Sequence, residues 1–478
     1  MGIGDADFGV QVGIGFLGRL VAAVVAFLGS IVLARALGPS DYGTFYLLLS
    51  IVAFLDNPVT GWAEGCRKRL TEVDFPSGEA LGSVILGILV SSVVVSLVTA
   101  PFAPWLADVT GSAAGWFWFS ILFVGMVVYH TANEVLISTD QFGTGPWLNA
   151  GRDVIRVLGQ STLVLVGFGV AGMVWGMVIA NILVAPVVLY VVDFGPQLPS
   201  RETLRRIWSY ARYSIVGGIV GTAQHRMDRI LLGLLASSAV VGNYEVAMKL
   251  TLPAMFVAGV AQDGLMGRIS NVKSRGEAVA TDVQNNLGYA SVLGIPLFFG
   301  ALTMAGPIIV TLYSNQYAAA APYLIGLALF RLIRTQQSIL VATINGLDNP
   351  HLNLRVSAGV FTFNLLVGLA LFYTVGPLGV VVATVASEIL DYAIRAFIVR
   401  SLVPTIDFTP RPLLDQLASG VLMAVVVYVA RLWLPLSHWS YVGLVVAIGG
   451  VTYAVALVTL STEFRETVLA VASDAGLR

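Results

Sequence analysis

From Gly9 to Leu460 the chain is a succession of apolar runs, each about 20 residues long and seldom broken by a charge. A run of that length crosses the hydrocarbon of a bilayer as one helix. Inside hydrocarbon every backbone N–H and C=O must find a partner within the protein, so only helices and closed barrels can cross. Barrel strands are about 10 residues long and alternate in polarity. These runs do neither, so the expected fold is an all-α polytopic membrane protein with about 14 transmembrane helices. Composition points the same way: 11% of the 478 residues are charged and 57% are hydrophobic, with a mean hydropathy of +0.85. Soluble domains carry roughly 25% charged residues.

The expected spans are 9–34, 42–65, 78–103, 113–137, 150–170, 171–193, 211–236, 239–262, 283–312, 318–345, 352–374, 376–399, 413–434 and 439–460. The fifth and sixth are divided at GFGVAG, residues 167–172. Asp5 and Asp7 precede the first run, which is too long for a signal-peptide core, so it is expected to stay as a span. Most of the 26 Lys and Arg residues fall in or beside the even-numbered connections and the C-terminal tail, as with Arg67, Lys68 and Arg69 or Arg268, Lys273 and Arg275. The positive-inside rule then places both termini in the cytoplasm of a multi-pass cell-membrane protein. The external connections are too short to hold the long loop on which membrane glycosyltransferases and polymerases usually carry their chemistry. A net charge of −1 gives no reason to expect nucleic acid as a partner. The single cysteine, Cys66, cannot form an intramolecular disulfide, and the four histidines are too scattered for a metal site. No cofactor is expected. No phosphate-binding glycine loop, HExxH or nucleophile triad is present, so no catalytic residue is assigned and the chain is not read as an enzyme.

The sequence echoes itself. Residues 169–183 (GVAGMVWGMVIANIL) and 376–390 (GPLGVVVATVASEIL) agree at Gly169/Gly376, Gly172/Gly379, Val174/Val381, Val178/Val385, Ile182/Ile389 and Leu183/Leu390. Weaker echoes at nearly the same offset pair Pro101 with Pro307 and Gly43-Thr44-Phe45 with Gly242-Asn243-Tyr244. Two parallel six-helix bundles are expected, with a substrate site between them. The corresponding organisation is an N-terminal lobe over 1–194, a cytoplasmic amphipathic linker over 195–210, a C-terminal lobe over 211–400, and two additional helices with a cytoplasmic tail over 401–478. In the linker, Leu204, Ile207, Trp208 and Ala211 share a helical face.

A charge at mid-bilayer costs roughly 2.5–3.5 kcal/mol even on the insertion scale, so each one needs a reason. Six cations are read as lying deep in the spans, those nearer span ends being counted with the connections: Arg19, Arg226, Arg229, Lys249, Arg331 and Arg334. Arg226/Arg229 and Arg331/Arg334 are i,i+3 pairs, each sharing a face. Paired guanidinium forks suit a phosphate. These six are the candidate substrate-binding cations. The intramembrane acids are Asp56, Glu134, Asp228, Glu245 and Glu388. Asp56, Asp228 and Glu245 are candidates for ion coupling. Structural readings stand beside these. Glu245 and Lys249 are spaced to pair, Asp228 can neutralise Arg226 or Arg229, Arg334 and Glu134 can snorkel, and Asp56-Asn57-Pro58 can be a plain proline kink.

The stretch GRLVAAVVAFLGSIVLARALGPSDYGTFYLLLSI resembles the opening of polysaccharide and O-antigen flippases of the multidrug/oligosaccharidyl-lipid/polysaccharide exporter superfamily, most of all in LARALGPSDYGTFYL, Leu33 to Leu47. MDRILLGLLASSAVVGNYEVAMKL, Met227 to Leu250, is similar to that family's seventh and eighth spans, with Asp228, Gly242 and Tyr244 in matching places. The resemblance implies flipping of a polyprenyl-phosphate-linked or -pyrophosphate-linked oligosaccharide from the inner to the outer leaflet by alternating access. It implies partners in that lipid-linked glycan, in membrane lipids and in glycosyltransferases of the same pathway, and a cavity role for Arg19. Expelling two negative charges from a negative interior releases about 4.6 kcal/mol per 100 mV, so the membrane potential can drive the step. Competing expectations are a cation-coupled multidrug exporter of the same superfamily, a membrane-embedded glycosyltransferase or polymerase, and a non-transporting scaffold.

Overall fold

The computed structural model describes residues 3–72, 75–138, 145–191, 194–275, 277–436 and 438–466, with side chains from residue 22 onward except 145, 146, 189 and 191. Each of the fourteen expected spans is mainly helical where described, with turns at Asp56, at Leu183 and over 290–293. Among the described residues, ten helical runs are long and apolar enough to cross a membrane. Two of them, 22–55 and 147–188, each hold two spans joined through a break. The seventh and twelfth spans fall outside that set because of the charges they carry.

Contacts divide the chain into two compact units, 1–242 and 243–478. The first contains α1 (Ile3–Leu55), α2 (Asn57–Leu70), α3 (Ser77–Thr99), α4 (Ala103–Thr110), α5 (Gly115–Ile137), α6 (Gly145–Leu163), α7 (Gly169–Ile182), α8 (Val184–Val191) and α9 (Arg201–Leu235). The second contains α10 (Ser238–Thr251, which starts within the first unit), α11 (Met255–Ser274), α12 (Ala280–Tyr289), α13 (Gly294–Tyr313), α14 (Ala321–Gly346), α15 (Pro350–Val375), α16 (Leu378–Leu402), α17 (Arg411–Trp433) and α18 (Trp439–Leu460).

Local chemistry sets the breaks. Gly38 takes φ 72°, open to glycine at no steric cost, and with Pro39 it splits α1 into the first two spans. The division of α6 from α7 falls at GFGVAG, where Gly167 and Gly169 have φ of 103° and 53°. Gly376, the repeat partner of Gly169, also has a positive φ, 84°, at the start of α16. Their partners Gly172 and Gly379 let α7 and α16 lie against the helix before each. A Cβ there would sit 3.0 Å from the Leu163 carbonyl carbon and 2.2 Å from the Leu371 carbonyl oxygen.

In the first unit α9 packs along α2 and α1. The contact with α2 runs through the small-residue pair Gly61 and Gly65, whose absent Cβ atoms leave room for Ile215 and Ala211. Close backbone approach of this kind holds helices together where lipid removes the hydrophobic drive between them. The linker expected over 195–210 is extended to Ser200, which caps α9 by accepting from the Thr203 N–H. From Arg201 it runs into the seventh span as one helix. Ile207 and Ala211 are buried there, while Trp208 is half exposed. Glu72 ties the end of α2 to α9, accepting from Arg69 at 2.6 Å and Arg206 at 2.8 Å. Desolvation opposes its charge, but these two cations hold its carboxyl below the usual glutamate range.

In the second unit α11, α12, α14 and α16 enclose one core, centred on Leu287, Ile339 and Val399. The last two spans pack on α13 through Gly420, which sits against Ile295 and Phe299. Outward faces stay apolar, as with Leu97 at 68% and Phe397 at 78% exposure. Water would penalise such faces and lipid does not.

Candidate substrate-binding site

The candidate cations lie in both units. Arg19 has its side chain outside the described residues. In the first unit Arg226, Asp228 and Arg229 are half-buried on α9, and Arg229 Nη1 donates to the His225 carbonyl at 2.8 Å, which points its fork back along the helix.

In the second unit, three candidate cations lie on α10 and α14, which touch through Arg331 and Met248. Arg331 Nη2 lies 3.2 Å from the sulfur of Met248, the neighbour of Lys249. Arg331 and Arg334 lie 5.5 and 5.9 Å from the centre of the Phe330 ring, close enough for cation–π attraction. Lys249 pairs with Glu245 at 3.4 Å, and Arg334 with Glu388 at 3.2 Å. All three cations are half-buried, and Glu245 and Glu388 are buried at 2% and 4% exposure. The carboxylates lower the cost of holding cations at depth. A half-buried surface of forks beside an aromatic ring can take a phosphate bidentately, with part of its water stripped away.

Two polar groupings escaped the sequence reading, which counted their arginines with the cytoplasmic connections. In the second unit, Arg395 is buried at 1% exposure. It donates to Asp391 at 2.6 Å, to Ser357 at 2.9 Å and to Asn353, while Gln337 donates to the other Asp391 oxygen at 2.7 Å. The i,i+4 spacing of Asp391 and Arg395 was the available signal. Removing one partner of a buried pair strands the other, at about 3–5 kcal/mol. Arg395→Leu is therefore expected to lower the midpoint of thermal unfolding in detergent by several degrees. An unchanged midpoint would remove this network from the stabilising interactions.

The second grouping runs along α5 in the first unit. Arg152 stacks on Tyr129 at 3.9 Å and donates to Asn181 at 2.9 and 2.6 Å. Glu134, one of the intramembrane acids, pairs with Arg67 at 3.0 Å. Asp56, 3% exposed, sits 2.6 Å from Nδ1 of His130. The break beside it is more than a kink, because Asn57 Nδ2 donates to the Ala53 and Phe54 carbonyls at 3.0 Å each. The second of these is the carbonyl that Pro58, lacking an N–H, leaves without its helical donor.

Comparison with known proteins places this architecture. Over 98% of its length the chain is 24% identical to the probable flippase AglR of Haloferax volcanii, covering 97% of that protein. It is 25% identical to the probable low-salt glycan biosynthesis flippase Agl15 of the same organism, over 81% of this chain and 82% of the relative. Among solved structures, the lipid II flippase MurJ in an inward closed conformation superposes with a TM-score of 0.80 at 14% identity, covering 95% of this chain and 99% of that one. An inward-facing multidrug transporter of the MATE family, in the MOP superfamily, gives 0.59 at 13% identity over 82% and 99%. The fold is thus shared with both flippases and drug exporters. The family model described as polysaccharide biosynthesis protein matches residues 32–322, more than half of the sequence, and the chain belongs to that family.

Proposed function

We propose that this protein is a flippase that turns a polyprenyl-phosphate-linked or -pyrophosphate-linked oligosaccharide from the cytoplasmic to the outer leaflet of the cell membrane. The observation that carries the reading is the likeness to a probable flippase over 98% of the chain, and to a probable glycan biosynthesis flippase over 81%, in a chain whose half-buried helices carry arginines. Arg226, Arg229, Lys249, Arg331 and Arg334, with Arg19, bind the phosphate and leave the prenyl chain in lipid. Both termini are cytoplasmic, and the driving force includes the membrane potential. A multidrug exporter for cationic substrates calls for a surface dominated by acids, whereas here Glu245 and Glu388 each accompany a cation. The chain has a transport role rather than a catalytic one.

Alternating access requires contacts that part. Gly43 on α1 and Gly242 on α10 supply one. A Cβ on Gly43 would lie 1.7 Å from the Ser238 carbonyl oxygen, and one on Gly242 would lie 2.1 Å from that of Pro39. Pro39 precedes Gly43 by the same four positions as Ser238 precedes Gly242, so the contact is reciprocal between the echoed segments. Such reciprocity is the mark of a two-fold relation. It supports the reading of parallel repeats.

The test is reconstitution into vesicles carrying a fluorescent polyprenyl-phosphate oligosaccharide, with a membrane-impermeant quencher outside. Protein should accelerate the exposure of lumenal lipid well beyond the rate in protein-free vesicles. Equal rates would sink the proposal.

A further inference from the structure

Two rungs, each with an acid, join α14 to α16 in the second unit, and they are built differently. Arg334 donates to Glu388 at 3.2 Å, and one helical turn further on Gln337 donates to Asp391 at 2.7 Å. Each bond spans 54 positions, so the helices run parallel and in register, and the two acids share a face of α16. The second rung is complete. Gln337 serves one Asp391 oxygen and Arg395 the other at 2.6 Å, and Arg395 also donates to Ser357 and Asn353.

The first rung is incomplete. Arg334 reaches only Oε2 of Glu388, while Oε1 is buried without a hydrogen-bond partner among the described residues. The Glu388 side chain is 5% exposed and that of Arg334 29%. A buried carboxylate with one oxygen unsatisfied is costly, and an arginine fork can satisfy both oxygens at once. A pair serving only to hold two helices together has that bidentate form open to it. This pair stops short of it and leaves the guanidinium partly exposed.

We propose that Glu388 is a resident counter-anion of Arg334, which the phosphate of the lipid-linked glycan competes with and which neutralises the site again once the phosphate has left. No covalent bond is made or broken. With Glu388 ionised, the empty pair has no net charge, and a bound phosphate makes it negative. Closing the site strips away water and penalises whichever form carries net charge. Glu388 therefore loosens the hold on phosphate, which favours release, and lets the emptied site close for the return. Without Glu388 the preference inverts: the empty form becomes a bare guanidinium in low dielectric, and the phosphate-bound form becomes the neutral one. Asp391 cannot take over, because both of its oxygens are already committed to Gln337 and Arg395.

The proposal rests on the flippase reading, and the test separates the two. A fluorescent short-chain prenyl-phosphate oligosaccharide is added outside preformed vesicles at zero membrane potential. Protection from an impermeant quencher reports its arrival in the inner leaflet. In one arm the vesicles hold no other substrate, so every turnover needs an empty return. In the other they are formed with excess unlabelled substrate in both leaflets, so the carrier returns loaded. Glu388→Gln is expected to lower the ratio of net to exchange rate on the order of tenfold, because a buried pair stripped of one partner is strongly penalised. Its half-saturating substrate concentration should fall as well. A purely structural contact would slow both arms alike and would not tighten binding. Glu388→Asp should keep the wild-type ratio, and Arg334→Gln combined with Glu388→Gln should restore it while binding more weakly. A wild-type ratio in Glu388→Gln, or a ratio that stays low in the double variant, overturns the counter-anion.

A second measurement does not depend on Glu388→Gln folding. Adding the same prenyl-phosphate compound to the wild-type protein in detergent should shift a carboxylate band in infrared difference spectra, and the double variant should lack that band. Its absence from the wild type, or its persistence in the double variant, overturns the proposal. A wild type that moves label in neither arm overturns the flippase reading and this proposal with it, whereas an active wild type with unaltered ratios in the variants overturns this proposal alone.

Discussion

Replacing Arg229 and Arg331 together by alanine is expected to abolish flipping while leaving the protein in the membrane. A charge-assisted hydrogen bond contributes about 1.5–3 kcal/mol, so losing two removes about 3–6 kcal/mol of substrate interaction. That corresponds to a fall of roughly 10²–10⁴ in initial rate. The two arginines come from α9 and α14, in different units, so the double variant removes guanidinium from both. Lysine replacements should recover only part of the rate, because an ammonium cannot offer the parallel donors of a fork. Lys249→Ala should have a smaller effect, since that ammonium already spends part of its charge on Glu245. The measurement is the vesicle flipping rate at matched protein content, and full activity in the double alanine variant would falsify the cationic site.

Gly43→Val and Gly242→Val are expected to block the cycle from the opposite direction. Each brings a branched side chain to a point where even one carbon would lie within about two bond lengths of a carbonyl oxygen. Overpacking typically costs 1–3 kcal/mol, and a backbone partner on rigid helices yields less than a side chain would. The closed crossing should therefore be lost, and transport with it. A cysteine placed at Ser238 should react on the order of tenfold faster with a bulky thiol reagent in the Gly43→Val background, since 1.4 kcal/mol is a factor of ten in population. Cys66 is buried and gives little background. The reciprocity of the contact adds a sharper demand, that the two variants act alike. A normal rate in one and a null in the other would refute the two-fold reading.

Much of this was legible in the chain itself. Runs of apolar residues dictate helices because hydrocarbon offers no other partner to the backbone, and they fixed the spans and even the break at GFGVAG. The i,i+4 spacing of Glu245 and Lys249 announced their pair, because the helical repeat fixes that distance locally. The echo of Gly169 in Gly376 marked two positions that both take a positive φ. Charges at helix ends read less well. Arg152 and Arg395 lie inside expected spans yet passed for residues of the connections, because depth in a bundle is not encoded in distance along the chain.

The opening feature, the succession of apolar runs, determined by itself that the chain is a helical membrane protein and about where its spans lie, whereas the helix that runs from Arg201 into the seventh span came only from the structure. Backbone hydrogen bonding and helical periodicity are local, so sequence suffices for them. Only the tertiary structure decided that Asp56 meets His130 across 74 positions, that Arg395 closes on Asn353 and Ser357, and that Gly43 and Gly242 make a reciprocal contact. Those pairings depend on which faces of distant helices come together. Small residues and buried polar groups choose those faces jointly, and no single segment contains the choice.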